Sequence, residues 1–106
     1  MNAEVKELWL KALRSGDYPQ AKNAMRDINT GGFCCLGVLC DISRKGEWQG
    51  TAYRASEDEP LCAGSFLSET IREWASLEHY ESVNLAHMND RGVPFEVIAD
   101  VIERTL

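Results

Sequence analysis

The sequence predicts a small, mainly α-helical single domain spanning residues 1–106, with an α+β arrangement left open. Two observations carry the prediction. Apolar residues recur every three to four positions near both ends of the chain, in residues 3–14 and 94–106. Between them, residues 33–44 form a dense apolar run, too long for an ordinary strand and closed by the polar Ser43-Arg44-Lys45-Gly46. A chain of 106 residues, 44 % apolar, is one domain's worth and can bury a modest core.

Each element has its own signal. In residues 3–14, Val5, Leu8, Trp9, Ala12 and Leu13 share one face of a 3.6-residue period. Asn2 is suited to cap the start of that helix, and Gly16 to stop it in the left-handed conformation. Tyr18-Pro19 marks a turn or an extended entry. Residues 20–28 read equally well as a short helix or a strand, and 29–32 as a loop. The run 33–44 is assigned to a buried helix. Gly37 inside it costs about 1 kcal/mol relative to alanine. A glycine there fits a place where another backbone packs closely.

Residues 45–65 read as a long irregular insertion, polar and acidic toward Pro60, with room for a short hairpin around Glu47–Tyr53 turning at Gln49-Gly50. Trp48 and Tyr53 would anchor it. Residues 68–77 form a helix capped by Ser68, with Glu69 in the electropositive first turn and Ile71, Trp74 and Ala75 on one face. Residues 82–89 form a short helix. The last helix starts with Pro94 as its first residue. It buries Phe95, Ile98, Ala99, Ile102 and Leu106, and turns Glu96, Asp100 and Glu103 outward. The expected core is the Cys34–Cys40 stretch packed against the two terminal helices.

Charge and composition exclude several functions. The net charge is −6, and residues 51–106 hold four arginines against eleven acids. Such a surface repels phosphate backbones, so DNA is not an expected partner. Residues 89–104 look like the opening of a helix-turn-helix, but a DNA reader needs a recognition helix after it. No apolar run approaches a membrane span, and the N-terminal residues lack a signal peptide's uninterrupted apolar stretch. A cytoplasmic protein without a membrane partner is expected.

The four cysteines permit several chemistries. As zinc ligands they are badly spaced: Cys34 and Cys35 are adjacent, and His79 and His87 stand too far apart for a ligand pair. No metal site and no cofactor are expected. As nucleophiles, Cys34 or Cys35 would sit at a helix N-terminus, where the dipole favours a thiolate, with His87 as base and Asn89 or Asp90 as its orienter. Cys34, Cys35, His87 and Asp90 are therefore the catalytic candidates. Against this stands the ordinary role of cysteine as a small buried filler, which the dense apolar neighbours favour. Candidate partner contacts are Trp48 and Tyr53, for a polar loop that displays aromatics, and Glu96, Asp100 and Glu103, for a basic partner.

The segments "LWLKALRSGDYPQAKNAMR", "FCCLGVLCDI", "ETIREWASL" and "L-x-x-MNDRGVPFEVIADVIE" together resemble an uncharacterised family of small proteins encoded by tailed bacteriophages and prophages. Its two marks here are the "CCLGVLCD" core and the "ND-x-G-x-x-F-x-x-IA-x-x-IE" tail. Ser68 departs from the family, whose members often place proline there; the departure touches a helix cap, not chemistry. The resemblance implies a protein of the host bacterial cytoplasm that binds a host protein through a basic surface, such as an inhibitor of a bacterial defence system. Two other functions stay open. One is a sponge for a small nucleotide, held by Arg54, Arg72 or Arg91 with an aromatic. The other is a cysteine-dependent hydrolase or transferase.

Overall fold

Asn2 begins the first helix, α1 (Ala3–Arg14), and its side chain accepts from the N–H groups of Glu4 and Val5. Gly16 follows the helix with φ of +80°, the left-handed stop that its lack of a Cβ permits. The structure is a computed structural model and describes residues 1–59 and 67–106. Four further helices follow among those residues: α2 (Cys35–Ser43), α3 (Glu69–Ala75), α4 (His79–Asp90) and α5 (Phe95–Thr105). A two-stranded antiparallel hairpin, β1 (Glu47–Gln49) and β2 (Ala52–Arg54), lies between α2 and α3. The fold is mainly α with a small β element. Among the described residues no helix is long and apolar enough to cross a membrane.

Helix α2 is the centre. Cys35 through Cys40 are all buried, on every side of the helix. Its principal neighbours are α1 and α4, with α3 beside it, whereas α5 lies chiefly on α1. This corrects the expectation that α5 covers α2. Trp9, fully buried, donates from Nε1 to the Cys35 carbonyl at 2.9 Å and fastens α1 to the start of α2. Leu8, expected on the buried face of α1, is 53 % exposed; the contact arc is narrower than the apolar arc, and Trp9 fills it.

Residues 20–28, which read equally well as helix or strand, are neither, and the same holds for their flanks across 18–33. They form an irregular strap across the N-terminus of α2. Its internal order comes from a few backbone bonds: Phe33 N–H donates to the Pro19 carbonyl, Ala21 N–H to that of Phe33, and Asp27 N–H to that of Gly32. Asn23 takes a positive φ of 63°, which breaks any regular run. Above α2, the Met25 carbonyl presses on Gly37 so closely that a Cβ there would lie 1.9 Å from it. The close backbone approach expected at Gly37 is therefore present.

The hairpin pairs Glu47 with Arg54, Trp48 with Tyr53 and Gln49 with Ala52. Its two-residue turn is Gly50-Thr51, one position later than expected, because Gly50 supplies the positive φ of 62°. The remainder of the insertion, from residue 60, and Cys62 lie outside the described residues. At α3, Ser68 holds the N-cap position but gives the helix no side-chain cap. Its hydroxyl donates to Glu59, and Glu59 caps the helix instead, accepting from Thr70 N–H at 2.9 Å and from the Thr70 hydroxyl.

Helix α4 is longer than the expected 82–89. Glu81 accepts from Glu78 N–H at 2.9 Å and closes the new start. The buried face of α4 includes Ser82 and Asn89, so an apolar count underestimates it. Pro94 is the N-cap of α5 rather than its first residue; its carbonyl accepts from Val97 and Ile98. Phe95, Ile98, Ala99 and Ile102 are buried as expected, and Leu106 is half-buried.

Candidate functional site

The cysteines stand where a reactive thiol would, but in the wrong medium. Cys34 is the N-cap of α2, and its Sγ accepts from Gly37 N–H at 3.3 Å. Cys35 donates its thiol to the Leu85 carbonyl at 3.5 Å. Burial pushes the Cys34 thiol up to about 11, against the opposing pull of the Gly37 and Leu36 N–H groups. Burial pushes Cys35 well above the ordinary thiol range, and the charge of a Cys34 thiolate would add to it. The helix dipole loses to desolvation here, so both remain thiols at neutral pH. His87 faces solvent on α4, away from the buried sulfurs. Asp90 lies near the thiols, where its negative charge disfavours a thiolate further. Of the four catalytic candidates, Cys34 and Cys35 share the buried start of α2, Asp90 ends α4 with its carboxylate on Asn23 N–H, and His87 is exposed on α4.

The polar centre of this region is Asn89, fully buried, whose weight sequence reasoning missed. Its Oδ1 accepts from Cys35 N–H at 3.2 Å and from Gln20 Nε2 at 3.0 Å, and its Nδ2 donates to the Ala21 carbonyl at 2.7 Å. Gln20 in turn donates to the Val93 carbonyl and accepts from Phe95 N–H, an orphan donor at the start of α5. Asp90 accepts from Asn23 N–H at 2.8 Å. The "ND" pair of the tail motif thus ties the strap, α2 and α4 together, and Gln20 extends that tie to α5. One residue of the first half and two of the second do this, and no local pattern announces such a partnership.

Trp48 and Tyr53 belong to an aromatic ladder. Ring centroids run from Tyr18 to Phe33 at 5.1 Å, to Trp48 at 5.7 Å and to Tyr53 at 5.0 Å, all edge to face. Asp41 sits between two rungs, accepting from the Tyr18 hydroxyl at 2.5 Å and from Trp48 Nε1 at 3.0 Å. Burial pushes the Tyr18 phenol up to about 12, and the bond to Asp41 pushes the same way. Arg26 lies over Trp48 at 4.9 Å and donates to the Gly50 carbonyl. Tyr53 is 5 % exposed and donates to, or accepts from, groups beneath the hairpin, so its ring offers a partner almost nothing to touch. Trp48 is half-buried and anchors the hairpin.

The acids divide into two groups. Glu96, Asp100 and Glu103 are exposed on α5, but on the side toward α1. Arg14 bridges Asp100 at 2.8 Å and Glu103 at 2.9 Å, and Lys6 donates to the Glu103 carbonyl. Both ion pairs found among the described residues are Arg14's. Glu57, Asp58, Glu69 and Glu73 are exposed and carry no such pair. The Glu59 bonds to Ser68 and Thr70 bring the loop that holds Glu57 and Asp58 to the first turn of α3. Desolvation acts to raise Glu59, but those hydroxyl and N–H donors outweigh it and hold the carboxyl below its usual range.

Each arginine named for a nucleotide has its own place in the fold. Arg54 donates to the Ser56 and Glu57 carbonyls, Arg72 donates to the Leu77 carbonyl, and Arg91 ends α4. A groove of about 290 Å³ between α4 and α5 is lined by Tyr80, Asn84, Met88 and Val101 among others, with Glu81 its one side-chain carboxylate. Among the described residues no three His, Cys, Asp or Glu side chains group as a metal site would require.

No curated protein and no solved structure matches this chain. A family model does, over residues 1–106. The chain belongs to that family, described as a domain of unknown function (DUF8296).

Proposed function

We propose that this chain is a phage- or prophage-encoded accessory protein that works by binding, not by catalysis. It acts in the cytoplasm of the host bacterium, where it covers a basic surface of a host protein, such as a component of a defence system. The observation that carries this reading is the exposed acidic face formed by Glu57, Asp58, Glu69 and Glu73, which has no cation paired to it among the described residues. Exposed carboxylates that are not tied into ion pairs can steer a basic partner and suppress others. The row on α5 is the weaker candidate, since Arg14 already neutralises part of it. The buried, protonated thiols support a binding role over a cysteine-dependent reaction.

The test begins with affinity purification from an infected host and identification of the protein that co-elutes. Association kinetics with that protein are then measured at low and high salt. Reversing Glu69 and Glu73 to lysine is expected to slow association about tenfold or more at low salt. Reversing Glu96 and Asp100 is expected to have a smaller effect, and reversing Glu4 and Glu7 the least. A salt-independent rate that ignores all three pairs of changes would refute the reading.

A further inference from the structure

The strap is fastened differently from everything around it. No helix or strand runs through residues 18–33; two isolated bridges to Phe33 are its only ladder-like pairing. Its buried apolar anchors are Ala21 and Met25. At its two ends Tyr18 and Phe33 pack half-buried against the core, Phe33 edge to face on Trp48 and Tyr18 bonded to Asp41. Between those ends the remaining attachment is a set of single contacts: Gln20 to Asn89, Val93 and Phe95; Asn23 N–H to Asp90; Arg26 over Trp48 and to the Gly50 carbonyl. A segment whose middle is fastened by Ala21, Met25 and single polar bonds, with no regular ladder, opens at a lower free energy than the helices it covers.

Beneath it lies Cys34. Its N–H donates to the Met25 carbonyl at 3.2 Å, its Sγ bonds the N–H of Gly37, and Gly37 is the residue on which the Met25 backbone rests. Cys34 is 2 % exposed in the closed fold. Cys40 lies one to two turns deeper in α2, and is fully buried. We infer that residues 18–33 open as a local unit, short of global unfolding, and that this opening gates the Cys34 thiol. In the open state Cys34 stands in water at the start of α2, where the first-turn N–H groups favour its thiolate. The strap is then a conformational switch over a thiol that is inert while closed.

The test is alkylation of the whole chain by iodoacetamide over a range of urea concentrations below the unfolding transition, with the label located on Cys34, Cys35 or Cys40 by fragment-ion mass spectrometry. Cys34 is expected to react at least about tenfold faster than Cys40, with a shallow urea dependence, while Cys40 follows global unfolding. Gln20→Ala, which removes the strap's bonds to Val93 and Phe95 and one of its bonds to Asn89, is expected to speed Cys34 about tenfold more than Cys40. Arg26→Ala loosens the opposite attachment and is expected to act in the same direction. Equal rates and equal urea slopes for Cys34 and Cys40 in the unaltered protein would overturn the inference. So would variants that speed both thiols alike or leave Cys34 unchanged. If neither variant folds, the two urea slopes of the unaltered protein decide.

Discussion

Helix α2 and the strap that crosses it press together most closely at Gly37 under Met25, and are held by opposite means. The helix is apolar on all sides and is held by burial: Leu36, Val38 and Leu39 are fully enclosed. The strap is mostly polar and is held by directional bonds to a few side chains, above all Asn89 and Gln20. Burial is non-directional and tolerant of exchange among residues of similar volume. A buried amide network is not, since losing one member strands the others without partners. The stability of the centre should therefore hinge on a polar residue as much as on any leucine.

The strongest way to break this comparison is Asn89→Ala. It strands Cys35 N–H and the Ala21 carbonyl at once, and is expected to cost about 4 kcal/mol, comparable with a buried leucine truncated to alanine. Urea unfolding of Asn89→Ala beside Leu36→Ala makes the measurement. A loss below about 1 kcal/mol for Asn89→Ala would show that the network is ornamental.

Gly37→Ala tests the meeting point itself. On an unhindered helix the change would stabilise by about 1 kcal/mol. Here the new methyl meets the Met25 carbonyl, so a net loss of about 2 kcal/mol is expected, with the strap displaced. Thermal unfolding that gives an unchanged or raised Tm would mean that the strap yields without cost.

The cysteines sharpen the comparison from the apolar side. Cys34→Ala and Cys35→Ala should each cost about 1–3 kcal/mol while leaving partner affinity per folded molecule unchanged. A cysteine-to-serine variant that kept its Tm yet lost the biological effect would instead favour catalysis.

The smallest expected effect lies at the strap's entry. The Tyr18 phenol is raised from its ordinary value near 10 to about 12, first by burial and then by its bond to Asp41. The folded state therefore holds that proton more tightly than the unfolded state. Its stabilisation is complete below about pH 10 and is lost as pH rises from 10 toward 12. Tyr18→Phe should flatten the fall in stability across that window, as measured by urea unfolding at several pH values.

Much of the helical frame was legible because it is periodic. Residues 3–14 and 95–105 carry their apolar face in the sequence, Asn2 and Gly16 mark the ends of the first helix, and Gly37 marks a close approach. The strap was not legible, because its partners are single polar groups in the second half of the chain. Nothing local in "PQAKNAMRD" says that Gln20 will satisfy Phe95 N–H or that Asn23 will meet Asp90. The start of α4 was missed because residues 79–81 bury no apolar side chain and the helix is closed by the Glu78–Glu81 pair rather than by a Ser, Thr, Asp or Asn cap.

The same boundary runs through the candidate site. The sequence by itself determined that the second half is acidic, that Glu96, Asp100 and Glu103 lie outward on a helix, and that the Cys34–Cys40 stretch is buried. Charge count, helical period and apolar density are local properties, and local properties survive any packing. Only the tertiary structure decided that Arg14 pairs with Asp100 and Glu103 while, among the described residues, Glu69 and Glu73 form no ion pair. Only it decided that His87 faces away from thiols whose burial outweighs a helix dipole. Whether a charge is paired, or a thiol dry, depends on which distant segment packs against it, and that is a property of the fold.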